Sequence, residues 1–392
     1  MPDVHYDVVI LGAGPVGLAL AAALGRERMA VALLERMALA AYDGPARDDD
    51  WDSRVYAISP GSAEFLRGLA AWQELPPERL AAIEMMDVHG DRGGAIAFGA
   101  YELGERALAW IVENRELCAA LVAAVRTCAS VEVLAPCAPA AIAWRSDSAQ
   151  VTLADGRKLS ARLIVGADGV RSWVRQEAGI GPEPRPYGQT AVVANFSAEL
   201  AHRGRAFQWF VEAHGVLAWL PLPGRRISMV WSAPDALARE LLALDAAALT
   251  QRVAAAGRNV LGPLTLITPP AAFPLSFLRL DSMVAPRLAL VGDAAHVVHP
   301  LAGQGVNLGF GDAAMLAAVL KARGPVGDAG AAILLERYAR KRALPILSMQ
   351  IVTDGLVRLF DLPPLRVLRN SGMNAVAALA PVRRILAHPA LR

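Results

Sequence analysis

The sequence predicts an α/β protein: a parallel-sheet domain built on an N-terminal β-α-β unit, an interleaved β-rich domain, and a C-terminal helical region. Three observations predict it. Residues 6–34 run as apolar strand, glycine-rich turn, helical segment and second apolar strand. Two further strand-then-glycine turns recur near residues 165–169 and 290–293. Between residues 189 and 232 the helical pattern stops, and four short strand-like runs follow one another.

Taken in order, residues 6–11 (YDVVIL) have the β-branched, uncharged core of a strand buried on both faces. Residues 15–26 read as a helix with Pro15 in its first turn, where the missing N–H costs little. Residues 31–34 form the second strand, closed by Glu35. Residues 59–69 and 114–128 read as helices opened by the capping-type residues Ser59 and Asn114. Residues 150–153 and 158–165 are strands flanking Asp155-Gly156, a hairpin-turn pair. The runs TAVVANF, RAFQWFV, GVLAWLPL and RISMVWS then predict an antiparallel sheet holding Trp209, Trp219 and Trp231. Helix returns at 234–256, LALVG (288–292) is another buried strand, and a helix follows around 311–320. The remainder is helical, with a kink expected at Pro345.

A chain of 392 residues can bury a large core in two subdomains. With 55% hydrophobic residues, a formal net charge of +2 and no charged block, disorder and a nucleic-acid partner are both excluded. Cys118, Cys128 and Cys137 form no paired or histidine-linked motif and read as thiols of a reducing compartment. Residues 8–25 carry no charge, but Asp3 and Asp7 precede them and glycines punctuate them, so neither signal peptide nor membrane span fits. A cytoplasmic protein is expected.

Gly12-Ala13-Gly14-Pro15-Val16-Gly17 is G-x-G-x-x-G between a strand and a helix, with Glu35 ending the next strand. Gly12 permits the tight turn, Gly14 admits a pyrophosphate close to the backbone, and Gly17 lets helix and sheet approach. The helix N-terminus offers free N–H groups to phosphate, and Glu35, followed by Arg36, suits a ribose diol. The domain is therefore Rossmann-like, and its acidic residue argues against a 2′-phosphate in this pocket. The motif alone leaves NAD and FAD open.

Two later segments bear on that choice: VGADGVRS (165–172), and LVGDAAH (290–296) continuing into HPLAGQGVNLGFGD (299–312). Here the chain resembles the aromatic-ring hydroxylases among the FAD-dependent monooxygenases, and more closely the ubiquinone-biosynthesis hydroxylase family. DSRVYAIS (52–59) fits that family's arginine-containing N-terminal segment, and the resemblance spans about residues 7–360.

The resemblance implies FAD as cofactor, NADPH or NADH as reductant and O2 as co-substrate, acting through a flavin C4a-hydroperoxide. It implies that Gly292 and Asp293 meet the ribityl chain, that Gly303, Gln304, Gly305, Val306 and Asn307 lie against the isoalloxazine ring, and that Pro300 flanks its reacting face. It assigns Arg54, Arg115, Asp168 and Gly169 to cofactor contact. It also implies domain limits: residues 1–75, 105–180 and 282–345 for the FAD-binding domain, 76–104 and 181–281 for the β-rich substrate domain, and 346–392 for the helical region. No metal is expected at His296 and His299, because no carboxylate cluster accompanies them.

The implied substrate is a hydrophobic, prenylated phenol held in a dry cavity, with Phe207, Trp209, Phe210, Trp219, Leu220 and Trp231 as candidate liners. Two other readings stay open: a hydroxylase of a soluble phenol, and a non-catalytic flavin- or lipid-binding subunit of a biosynthetic assembly. After Asp361 the chain carries Arg366, Arg369, Arg383, Arg384 and Arg392 without an acid, and Val376, Leu379, Ile385 and Leu386 share a face interrupted by Pro381. That pattern suits peripheral contact with an anionic membrane, or docking on the protein's own core.

Overall fold

The computed structural model describes residues 4–39, 50–324 and 327–379, together with 383 and 391. Its first sheet runs in the order Val284–Ala285, Leu288–Leu290, Lys158–Gly166, Val4–Leu11, Val31–Leu34 and Val131–Leu134. The last five of these strands are parallel. Val8, Val9 and Ile10 are wholly buried, which explains an uninterrupted apolar run where an exposed strand would alternate.

The helix Pro15–Arg26 has the predicted limits and packs between the helices Asn114–Arg126 and Gly305–Lys321. The uncharged stretch at residues 8–25 is thus a strand, a turn and a buried helix. Ser59 caps the helix Pro60–Gly68 as expected, its hydroxyl accepting from Ser62 N at 3.2 Å. Asn114 does not cap: that position belongs to Glu113, whose buried carboxylate instead takes Arg79 at 2.8 Å and Asp52 N at 2.6 Å. Strands Ala149–Leu153 and Lys158–Gly166 form the hairpin predicted at Asp155-Gly156.

The second sheet has the order Leu264–Leu266, Arg185–Ala198, Arg226–Pro234, Gly215–Leu222, Arg205–Val211, Met85–His89 and Ala95–Gly99, with Ala271–Phe277 also paired to Arg185–Ala198. One face packs on two helices, Asp235–Ala243 and Ala246–Ala256, where the sequence predicts a single stretch. Asp245 divides them by accepting from Ala248 N at 2.8 Å, which starts the second helix afresh. Trp209, Trp219 and Trp231 lie in that helix-packed core.

Pro345 falls inside one long helix, Ala332–Asp361. The next helix, Arg366–Ala378, lies on the hairpin of Met85–His89 and Ala95–Gly99. Asp91 accepts from Asn370 Nδ2 at 2.7 Å and pairs with Arg369, while Asn370 Oδ1 accepts from Gly94 N at 3.0 Å. Val376 packs against the same hairpin, and Arg383 reaches Glu102 at 3.1 Å. This part of the basic end docks on the protein's own body, whereas Leu379 is exposed. Pro381, Arg384, Ile385, Leu386 and Arg392 lie outside the described residues.

Candidate active site

Strands Val4–Leu11, Lys158–Gly166 and Leu288–Leu290 are adjacent and parallel, so the three glycine turns leave the same edge of the sheet. They also touch. Gly12 has φ +106°, and a Cβ there would overlap the Ala167 carbonyl and come within 2.8 Å of Asp168 Cα. Buried Arg175 ties the second turn to the third, donating to Val170 O at 2.9 Å and Ala294 O at 3.0 Å.

The first turn keeps its helix-start donors free, while Glu35 and Asp168 bond within the protein. Gly14 precedes a helix start that no side chain caps, and nothing lies within 4 Å of the Cβ it lacks. An anionic group therefore finds both space and free N–H donors there. Glu35 fastens the loop, accepting from Ala13 N at 2.8 Å and Met37 N at 3.1 Å, while Arg36 beside it is exposed. Asp168 closes its own turn, taking Ser172 Oγ at 2.5 Å and Val174 N at 3.1 Å, with Gly169 at φ +81°.

In the third turn, Gly292 N donates to Asp312 Oδ2 at 2.9 Å, and the same oxygen bonds His296 Nε2 at 2.6 Å. Arg342 Nε takes the other oxygen at 2.7 Å. Burial alone would push the Asp312 carboxyl up, but His296 and Arg342 outweigh it and hold it below the ordinary range. Asp293 is the opposite case. It lines the cavity described below; burial raises its pKa against the pull of His296 and Arg54, and its carboxylate hydrogen-bonds no described residue. His299 bonds Gln189 Oε1 at 2.9 Å, and burial lowers its pKa to about 4. The two histidines thus serve separate partners.

Pro300–Ala302 forms a short turn of 3-10 helix, Gly303 follows at φ +60°, and the helix Gly305–Lys321 begins without a side-chain cap. Asn307, expected against a ring, staples this loop to its neighbours: Oδ1 accepts from Ser59 N at 3.0 Å, and Nδ2 donates to Ala57 O at 2.8 Å and Gln304 Oε1 at 3.1 Å. It is buried, so its amide must be satisfied by protein.

Between this loop and the second sheet lies a cavity of about 2500 Å³. Pro300, Gly303, Gln304, Gly305, Val306, Asn307, Arg54 and Asp293 all line it. The Arg54 guanidinium lies over Tyr56 at 5.3 Å and Phe273 at 5.7 Å. Arg115 is not brought in; it pairs with Asp50 at 2.7 Å. Of the six predicted aromatic and aliphatic liners, Phe210 and Leu220 face the cavity, while Phe207, Trp209, Trp219 and Trp231 face the helices. The strand alternation decides this: odd and even positions of RAFQWFV point to opposite faces.

Sequence reasoning missed Tyr56, Gln208 and the Asp312–Arg342 pair. Tyr56 lines the cavity, donates to Asn114 Oδ1 at 3.3 Å, and has its phenol pKa raised by burial. The one visible signal for Gln208 was a polar residue on the face opposite the tryptophan.

FAD fits these residues on three counts: two helix N-termini without side-chain caps, the open space at Gly14, and an unbonded carboxylate, Asp293, aimed into the cavity. Comparison with known proteins agrees. Residues 5–349 match the FAD binding domain family. The ubiquinone hydroxylase UbiL of Rhodospirillum rubrum is 37% identical, over 99% of this chain and 90% of that protein. The 3-demethoxyubiquinol 3-hydroxylase of Escherichia coli is 34% identical over 98% of both. The structure of PqsL, a probable FAD-dependent monooxygenase from Pseudomonas aeruginosa, superposes with a TM-score of 0.77 at 26% identity, covering 95% of this chain and all of that one. The chain belongs to the ubiquinone-biosynthesis hydroxylase family of FAD-dependent monooxygenases.

Proposed function

We propose that this chain hydroxylates the aromatic ring of a polyprenylated phenol or quinol precursor of ubiquinone. The observation that carries the reading is the cavity, bounded by the loop at residues 300–305 and by an uncharged face of the second sheet. FAD, when bound and reduced by NADPH or NADH, supplies the O2 chemistry. The chain's residues bind and orient. Gly12, Gly14, Pro15 and Gly17 form the phosphate turn, and Glu35 with Arg36 borders the ribose. Arg54, Asp168, Gly169, Gly292 and Asp293 border the rest of the cofactor, while Arg115 is taken up by its pair with Asp50. The helix start at Gly305, Val306 and Asn307 supports negative charge on the ring, while Pro300, Gly303 and Gln304 face the substrate. The apolar wall keeps water from the reacting face.

A soluble phenolic acid would call for a cation on that wall. Val193, Ala218, Val230 and their lining neighbours on the sheet include none, the cavity's cations such as Arg54 and Lys341 standing on other elements; the apolar wall favours the prenylated substrate. We extend the proposal to domain division at the limits given above and to peripheral contact with a lipid surface. The helix Ala332–Phe360 is long and apolar enough to cross a membrane by length and composition. Yet Leu335 and Tyr338 are buried, and Tyr338 donates to Leu290 O at 2.9 Å, which supports a surface role. Its Leu344, Ile351 and Val352 are exposed and line the cavity mouth, where an apolar tail could enter from lipid.

The test is direct. The purified, FAD-loaded protein should oxidise NAD(P)H with a polyprenylated phenol and yield a product carrying one more oxygen by mass spectrometry. Absence of both, across phenol and quinol precursors, would leave a non-catalytic subunit.

A further inference from the structure

Gln208 occupies an unusual place on the second sheet. It sits on the cavity face, between Val88 and Ala218 on the neighbouring strands, and is only 6% exposed. Its side-chain amide hydrogen-bonds no described residue. The amide keeps its opening to the cavity, so a polar group entering there can pair with it. Its nearest neighbours on the wall are Val88, Ala218, Val230 and Phe210, none of which can hydrogen-bond through its side chain; Ser232, opposite Val216, is a shorter polar group on the same face. Leu301, in the loop assigned to the ring, packs in one cluster with Val88, Phe210 and Val216. Val88, the register partner of Gln208, therefore shares a cluster with Leu301 of that loop, and Gln208 lines the same cavity.

We propose that Gln208 receives the ring oxygen of the substrate and so determines which ring carbon is presented to the loop at Pro300–Gly303. This rests on the hydroxylase reading above. An amide offers one donor group and one acceptor, which matches a phenol or quinol hydroxyl that both gives and accepts a hydrogen bond. A prenyl tail satisfies neither half. The tail alone lets the ring turn in an aliphatic slot; one polar anchor on the wall removes that freedom and fixes the reacting carbon.

Gln208→Met keeps the length and removes the hydrogen bonds. With FAD content and Tm at wild-type values, the expected result is a fall of about 10- to 100-fold in kcat/KM, the worth of one or two oriented hydrogen bonds. Hydrogen peroxide formed per NAD(P)H should rise, and the product should spread over more than one ring position. The variant should also lose the wild type's preference for the phenol over its methyl ether, which a purely structural role would not change. Should the methionine variant lose FAD, Gln208→Glu, which retains an acceptor of the same reach, is expected to keep a single hydroxylation position. Unchanged position, coupling and phenol preference in Gln208→Met would overturn the inference alone. A wild type that hydroxylates no such phenol would overturn the hydroxylase reading beneath it.

Discussion

Asp312 and Arg342, thirty positions apart, meet in the interior with Arg342 Nε 2.7 Å from Asp312 Oδ1. The pair joins the helix Gly305–Lys321 to the long helix Ala332–Asp361, and through Gly292 N it also holds the third turn. Arg342→Met leaves the buried carboxylate with His296 and Gly292 N as its remaining partners. Removing one member of a buried pair costs about 3–5 kcal/mol. Urea unfolding should show that loss.

Gly12→Ala is expected to expel the cofactor before it unfolds the chain. The new methyl would collide with the Ala167 backbone at a φ of +106°, so the first and second turns must part. Strain of this kind costs on the order of 1–3 kcal/mol. The flavin absorbance per mole of purified protein should collapse, with a smaller fall in Tm.

Asp293→Asn separates binding from stability. Burial raises the Asp293 pKa because its charge lacks full solvation there. The neutral amide relieves that cost, so the FAD-free variant should be as stable as wild type or more so. Its FAD dissociation constant should rise about tenfold, for the loss of one charge-assisted hydrogen bond of roughly 1.4 kcal/mol. A fluorescence titration with FAD checks the second half.

His299 should make stability fall in mild acid. Burial depresses its folded pKa to about 4, against an opposing pull from Asp354, while the unfolded imidazole titrates near 6.5. Below pH 6.5 the unfolded chain takes up a proton that the folded one refuses, so stability drops as pH falls and levels off below about 4. The difference is on the order of 3 kcal/mol. Comparing urea midpoints of wild type and His299→Gln between pH 7 and 4 isolates it: the wild-type curve should be the steeper.

Much of the framework was legible because it is local. A strand, the G-x-G-x-x-G turn and a helix with Pro15 first are written within 26 residues, and the hairpin at Asp155-Gly156 within a handful. The functional polar groups were less so. Asp168 and Asn307 stand where a cofactor residue is expected, but their side chains bond neighbouring backbone and hydroxyl groups, which no motif distinguishes. Alternation in RAFQWFV separates Trp209 from Gln208 without saying which face meets helices; that depends on Asp235–Ala243 and Ala246–Ala256 packing under one side. Nothing in the chain near Asp312 announces Arg342.

Gly94 bonds Asn370 across 276 positions of sequence, and Asp91 holds Arg369 and Asn370 together. A ribosome delivers the hairpin long before the helix that covers it. Until that helix is made, Asp91 and Gly94 lack their partners and one side of the cavity has no wall. A chain shortened ahead of Arg369 would therefore keep its nucleotide turn and lose the wall that Arg369, Gly372, Met373 and Val376 give the cavity.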